Sequence, residues 1–174
     1  MNGNKYLIKI YHGSPDKKIV SFSLEKGRNC VDFGKGVYFT TNFEQAKTWA
    51  CKNNAEGAVY ECYLDLSEIN HLSYTNKDQD LYYLLYLCRI DLEDVAKETV
   101  KNYREIDLVI GPVLDGKVKK FNDIAEQFNS GEISFEDFLR NIEFFQGYNQ
   151  WCVKSQKLID HINNNKIILH EVKR

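Results

Sequence analysis

Asp32-Phe33-Gly34-Lys35-Gly36-Val37-Tyr38-Phe39-Thr40-Thr41 is the stretch on which the reading of this chain turns. Two glycines one residue apart permit a sharp backbone approach, and a β-branched and aromatic strand over residues 36–41 follows at once. A glycine pair that precedes a strand is not a dinucleotide fingerprint, which follows one. Tyr38 and Phe39 project to opposite faces of the strand. Either one meets a core and the other a cleft, or both are core aromatics.

Upstream, Lys5 to Tyr11 alternates polar and apolar residues as a strand does, and runs into a turn at His12-Gly13-Ser14-Pro15. A histidine there can bond a hydroxyl, the glycine admits a ligand to the backbone, and Ser14 adds a donor. Taken alone, such a tripeptide is most often a plain turn. Residues 15–35 are polar and glycine-punctuated, hence irregular.

Downstream, Asn42 caps a helix with Gln45 as its capping-box partner, and Phe43, Ala46, Trp49 and Ala50 fall at helical spacing before an end near Asn53-Asn54. Residues 57–66 read as a strand, and 80–103 as two helical stretches broken near Arg89–Asp91. Residues 106–114 form an apolar strand in which Pro112 marks an edge or bend. A helix over 116–129 and another from Ser134 to about Phe145, with Asp137 as a weaker capping partner, precede a strand over 149–154, whose mouth holds Gln150. Ser155 starts a short helix through Ile162, and residues 166–172 end the pattern as a strand. Strands and helices do not alternate regularly, which disfavours a doubly wound parallel sheet. The expected class is α+β, with antiparallel sheets and inserted helices. With no repeat or linker, residues 1–174 read as a single domain with helical insertions at about 78–105 and 117–145.

Composition narrows the function. A formal net charge of −2 removes any global pull toward polyanions, though not a local basic patch. No apolar run is long enough to span a bilayer, and Met1 to Lys5 leads directly into a strand rather than a signal peptide. Five cysteines, an odd number without CxxC spacing, imply reduced thiols and a cytoplasmic location. Neither they nor the histidines cluster as metal ligands, so no metal is expected. Aromatics make up 13% of the chain, enough to fill a core and also line a pocket that stacks flat rings.

In this order the motifs resemble the ADP-ribosyltransferase superfamily, on the branch that includes diphtheria toxin and the poly-ADP-ribose polymerases. That branch carries a His-Tyr-acid trio on three separate strands. His12-Gly13-Ser14 is similar to its first motif, Phe33 to Phe39 to its second, and Asn149-Gln150-Trp151-Cys152-Val153-Lys154 to its third. A second stacking aromatic follows the tyrosine by eleven residues in the polymerases, where Trp49 stands here. A closer resemblance, over nearly the whole chain, is to the bacterial DUF3990 family of ADP-ribosyltransferase-like proteins. It rests on the Tyr11 to Ser14 start, the Gly27 to Tyr38 stretch, Gln45 to Ala50, and Asp107 to Pro112.

The resemblance implies the ADP-ribosyltransferase fold, two packed, mainly antiparallel sheets with inserted helices that form an NAD⁺ cleft. Tyr38 and Trp49 would sandwich the nicotinamide, Gly13 would bond its amide, His12 would hold the 2′-hydroxyl of the adenosine ribose, and Ser14 the nicotinamide ribose or the amide. Gly36, Phe39 and Thr40 would line the cleft, and Arg28 would pair with the pyrophosphate. The catalytic trio would be His12, Tyr38 and Gln150. The family's third motif usually supplies a glutamate, so Gln150 withholds a full charge from the cationic transition state. Gln156 is an alternative to Gln150, and Glu105, Asp107 or Asp115 could supply the missing charge. The expected activity is mono-ADP-ribosylation of a protein or nucleic-acid acceptor by a toxin or defence effector, held by an antitoxin or immunity protein. The alternatives are a non-catalytic NAD⁺ or ADP-ribose binding module, and a protein-interaction domain on the same fold.

Overall fold

The computed structural model describes residues 7–115 and 118–174. The expected strand start at Lys5 and helix start at Gly116 lie outside the described residues. Strands β1 (Leu7–Ser14), β3 (Glu56–Asp65) and β7 (Ile168–Lys173) form an antiparallel sheet in the order β1-β3-β7. Strands β2 (Val37–Phe39), β6 (Glu143–Val153), β5 (Leu108–Asp115) and β4 (His71–Ser73) form a second in the order β2-β6-β5-β4, antiparallel except for the β4–β5 pair. Six α-helices are described: α1 (Phe43–Ala50), α2 (Gln79–Arg89), α3 (Glu93–Thr99), α4 (Val118–Asn129), α5 (Phe135–Arg140) and α6 (Gln156–Asn164). The class is α+β, and no helix among the described residues is long and apolar enough to cross a membrane.

The alternation of side chains along a strand explains why the second sheet is covered on both faces. Val37, Phe39, Trp151, Val153 and Leu108 join Ile10, Tyr60 and Leu64 of the first sheet, together with α6, in one core between the sheets. Tyr38, Cys152 and Val109, the next residues along the same paired strands, meet Phe33 and the apolar faces of α2, α4 and α5 in another. A third, smaller cluster seats Ala46 and Ala50 of α1 on Val59 and Val172. That seat needs glycine beneath it. A methyl on Gly13 would lie 1.9 Å from the carbonyl oxygen of Ala46, and one on Gly57 2.6 Å from that of Ala50.

Several expectations change. The turn expected at His12–Ser14 is strand, because β3 is long enough to pair His12 with Tyr60 and Ser14 with Ala58. The helix expected to reach Phe145 ends at Arg140, and β6 begins at Glu143 because the end of β5 offers Leu114 as partner to Phe144. Pro112 does not end β5; it marks a register shift, after which pairing resumes. The three-residue β4 had no periodicity to reveal it. All five cysteines are free, with only Cys30 exposed, and no metal-binding cluster occurs among the described residues.

Gly13→Ala is therefore expected to cost at least about 2 kcal/mol in urea unfolding, because α1 must lift off two strands. Gly131→Ala, whose methyl would meet nothing within 4 Å and whose φ of +79° is the only strain, should cost about 1 kcal/mol. Equal losses at both positions would contradict the tight helix seat.

Candidate functional site at the splay of two strands

Among the described residues the backbones of the two sheets are joined at an isolated bridge, where Tyr11 of β1 and Thr40, one residue past β2, exchange hydrogen bonds of 2.7 and 2.9 Å. Continued antiparallel pairing would bring Gly13 opposite Tyr38. It does not form. The carbonyl of Tyr38 instead accepts from Nδ1 of His12 at 2.7 Å. In an antiparallel strand, residues two apart turn their N–H and C=O to the same side. Gly13 therefore aims its peptide groups the way Tyr11 does, into the wedge where β1 and β2 separate. No backbone partner for them appears on that side among the described residues.

The carbonyl acceptor fixes the His12 tautomer. Nδ1 carries the hydrogen, and Nε2 is left with a lone pair. Phe22 and Phe39 meet the ring edge-on, and burial holds His12 below the usual histidine range; the charge of nearby Arg28 lowers it further, against the pull of the Tyr38 carbonyl. Arg28 is exposed and makes no ion pair among the described residues. Ser14 is buried and accepts from the Asp16 amide at 3.1 Å. Thr40 is buried, 2.8 Å from Oε1 of Gln45, and takes the Asn42 amide.

Tyr38 faces the other way, toward the helices. Its hydroxyl donates to the Gly34 carbonyl at 2.8 Å and accepts from the Phe33 amide at 2.9 Å, and burial raises its pKa well above the usual value. Gln150 shares that face, on β6 opposite Gly111. It is buried, and both hydrogens of its amide are taken, by Asp32 Oδ2 at 2.6 Å and the Pro112 carbonyl at 2.8 Å. Gly36 is required by close approach: a methyl there would sit 2.4 Å from Cys152 Sγ. Phe39 belongs to the core between the sheets.

Thus the structure joins His12 to Tyr38 through a backbone carbonyl and puts Tyr38 and Gln150 on one face, while the His12 ring lies on the opposite side of β2. Trp49 stands apart, half-exposed on α1 under the ammonium of Lys52, with no ring contact to Tyr38 among the described residues. Gln156 is exposed and bonds Asp160 along its own helix. Glu105 is exposed, Asp107 accepts from the Asn70 amide, and the side chain of Asp115 lies outside the described set. Two cavities of about 310 Å³ lie off this junction, one lined by Lys35, Glu93, Lys97, Arg104 and Lys154, the other by Tyr74, Pro112, Phe144, Tyr148 and Asn149.

Sequence reasoning missed the residues that support this arrangement. Asp32 accepts Nε of Arg89 at 2.7 Å and pairs with Nη2, while Nη1 is buried without a partner among the described residues; both side chains are buried. Lys154 reaches the Phe33 carbonyl at 2.6 Å and Glu93 at 2.7 Å, and Glu93 takes the Lys35 amide at 2.6 Å. One buried and one partly buried ion pair so clamp residues 32–35 beneath Tyr38. Their signal was a charged residue inside an apolar pattern: Arg89 closing an aromatic helix, Lys154 closing an apolar strand. Gln45 was expected to complete a capping box; its backbone amide does donate to Oδ1 of the Asn42 cap at 3.1 Å, but its side chain spans to the backbone of Asn149, donating to that carbonyl at 2.7 Å and accepting from that amide at 3.1 Å.

A family model matches residues 8–164. The chain belongs to that family, described as protein of unknown function (DUF3990). The match spans all the residues of the splayed junction, from His12 to Gln150, and the two ion pairs beneath it. No curated protein and no solved structure matches the chain.

Removing one partner of a buried pair strands the other charge, so Arg89→Ala is expected to cost about 3–5 kcal/mol in urea unfolding; a loss below 1 kcal/mol would show that the pair is solvated. His12 also carries a pH signature. Its folded pKa lies below the ordinary 6.5, so the unfolded chain takes the proton first. Stability then falls as pH drops below about 6.5 and levels off once the folded form titrates. Urea midpoints at pH 7.5 and 5.5 should show a smaller acid loss for His12→Gln than for the parent protein.

Proposed function

We propose that this protein is an NAD⁺-dependent mono-ADP-ribosyltransferase whose nicotinamide site is the wedge between β1 and β2, on an ADP-ribosyltransferase fold. The observation that carries the reading is the His12–Tyr38 hydrogen bond. It splays the two strands and leaves the Gly13 N–H and C=O aimed into the gap. A carboxamide is complementary to one peptide donor and one peptide acceptor. Nε2 of His12 accepts a ribose hydroxyl, and Arg28, already close enough to depress His12, pairs with the pyrophosphate. Trp49 supplies an aromatic surface by a movement of its exposed side chain, and Tyr38 supplies the backbone carbonyl that holds His12. Ser14, Gly36, Phe39 and Thr40 shape the walls.

In the reaction the bond between nicotinamide and ribose C1′ breaks, and nicotinamide leaves with the electron pair. The acceptor's nucleophilic atom forms the new bond to C1′ and gives up its proton. Positive charge on the ribose calls for a polarised acceptor nearby, and Gln150 fills that position. The acceptor is a protein or nucleic acid, and the setting is that of a cytoplasmic toxin or defence effector restrained by an antitoxin or immunity partner. A second reading, a non-catalytic NAD⁺ or ADP-ribose binding module, is favoured by the engagement of both Gln150 hydrogens with the protein itself.

The test is incubation of the protein with labelled NAD⁺ and bacterial lysate, following nicotinamide release and label in protein and RNA. Transfer is expected, falling about a hundredfold in His12→Ala and Tyr38→Ala. Calorimetric binding of NAD⁺ without nicotinamide release would select the binding module. Transfer unchanged in both variants would refute the site.

A further inference from the structure

Position 150 holds an amide where the resembling motif holds an acid. The surroundings of that amide supply a physical reason. Nε2 of Gln150 faces two acceptors and no donor: Asp32 Oδ2 at 2.6 Å and the Pro112 carbonyl at 2.8 Å. The amide cannot be flipped, because its carbonyl would then oppose both of them. Its orientation is fixed, and Oε1 is the atom left without a protein donor among the described hydrogen bonds. Asp32 is held in turn. One oxygen accepts Nε and Nη2 of Arg89; the other accepts Gln150 and the Leu114 amide at 3.3 Å. All of this lies on the Tyr38 face of the second sheet.

We infer that Asp32 is the positioning acid of the site: it locks the Gln150 amide with Oε1 outward as the atom that accepts a sugar hydroxyl, and it excludes a glutamate from position 150. The inference rests on the transferase reading for its catalytic half only. An acid at 150 would bring a second carboxylate within hydrogen-bond distance of Asp32 in a buried setting. Among the described residues the cation there is Arg89, whose Nε and Nη2 are already bonded to Asp32. Like charges so placed cannot both ionise cheaply. The negative charge that others of the superfamily carry on the third motif is carried here by Asp32 and reaches the ligand through a polarised amide.

The test is an exchange of the two groups, read by thermal unfolding and by nicotinamide release from NAD⁺. Gln150→Glu is expected to lower Tm by about 5–10 °C at pH 7.5. The deficit should shrink as pH falls, since the added acid has a raised folded pKa and its penalty is present only where it ionises. It should also lower nicotinamide release at least about tenfold through kcat, with KM little changed. Asp32→Asn combined with Gln150→Glu restores one acid and one amide, and should recover at least half of both losses. Asp32→Asn alone should lower kcat while NAD⁺ still binds.

A Gln150→Glu variant as stable as the parent, or more active, overturns the inference. So does a deficit that does not change with pH, a measurement that remains available if Asp32→Asn fails to fold alone. Turnover by the parent protein that Asp32→Asn leaves unchanged overturns the positioning role and spares the transferase reading. A parent protein that neither binds nor cleaves NAD⁺ overturns that reading and the catalytic half of this one, while the stability coupling between positions 32 and 150 is judged on Tm.

Discussion

A buried carboxylate must be surrounded by donors or it will not stay buried, and that requirement organises half of this molecule. The carboxylate of Asp32 draws in Arg89 from the end of α2, the amide of Gln150 from β6, and the backbone of Leu114 from β5. Those groups lie up to 118 residues apart in the chain. Because all of them converge on two oxygen atoms, the irregular segment before β2, the helical layer and the second sheet have one shared point of reference. Phe33, fully buried beside Asp32, fills the space left over Gly111, where a side chain on the strand would collide with its ring. The second pair, Glu93 with Lys154, repeats the device on the other side of Phe33 and ties α3 to the end of β6. These pairs need not add much net stability, since their desolvation is costly. What they add is register: an aromatic side chain slipping by one position would leave two charges buried without partners.

The same sheet shows how an element can be apolar on both faces without being parallel throughout. One face of β2, β6 and β5 packs on the first sheet, and the other on helices inserted between β4 and β6. The short length of β2 follows from this. After three paired residues its chain bends at Thr40 to start α1, and the bend is held by Asn149 and Gln45 through paired backbone and side-chain bonds. The helix thus begins at the point where the two sheets meet, and its seat over Gly13 places it against the open edge of β1.

What could be read in the sequence, and what could not, divides along a physical line. Elements with their own periodicity were legible: β1, β3, β5, β7, α1 and α6 lie within a few residues of where alternation and capping residues put them. The split of residues 80–103 was legible too, and Asp91 at the break has a left-handed φ of 65°. Elements defined by a distant partner were not. The first half of β6 carries no strand-like alternation, and exists because the end of β5 needs a neighbour. His12 read as a turn residue for the same reason, since only the length of β3 extends the strand through it. At the site, the motif residues could be named in advance because each sits in a distinctive local pattern. Asp32 was inside the quoted stretch, but nothing local distinguishes a buried aspartate from a solvated one, and the charge that closes the aromatic helix at Arg89 does not say which acid it meets. Partnership at a separation of 57 residues is not written in either neighbourhood.

The geometry also separates two kinds of polar residue at this junction. Thr40, Gln45, Asn42 and Asn149 satisfy one another nearly completely, and a closed network of that kind rigidifies the place where β2 becomes α1. His12 and Gln150 are satisfied on one side only, His12 at Nδ1 but not Nε2 and Gln150 at its nitrogen but not its oxygen, while the Gly13 peptide groups facing the wedge and the exposed Arg28 have no partner among the described residues. Half-satisfied groups are expensive unless water or a ligand completes them. Here they alternate in kind, with acceptors at His12 and Gln150, a donor at Arg28, and a donor and acceptor together at Gly13. An apolar ligand would leave all of them unpaired, and a simple anion would suit only Arg28. A molecule that presents an amide, hydroxyls and a negative charge would offer a partner to each kind of group, and the proposal of a nucleotide rests on that variety rather than on any one residue.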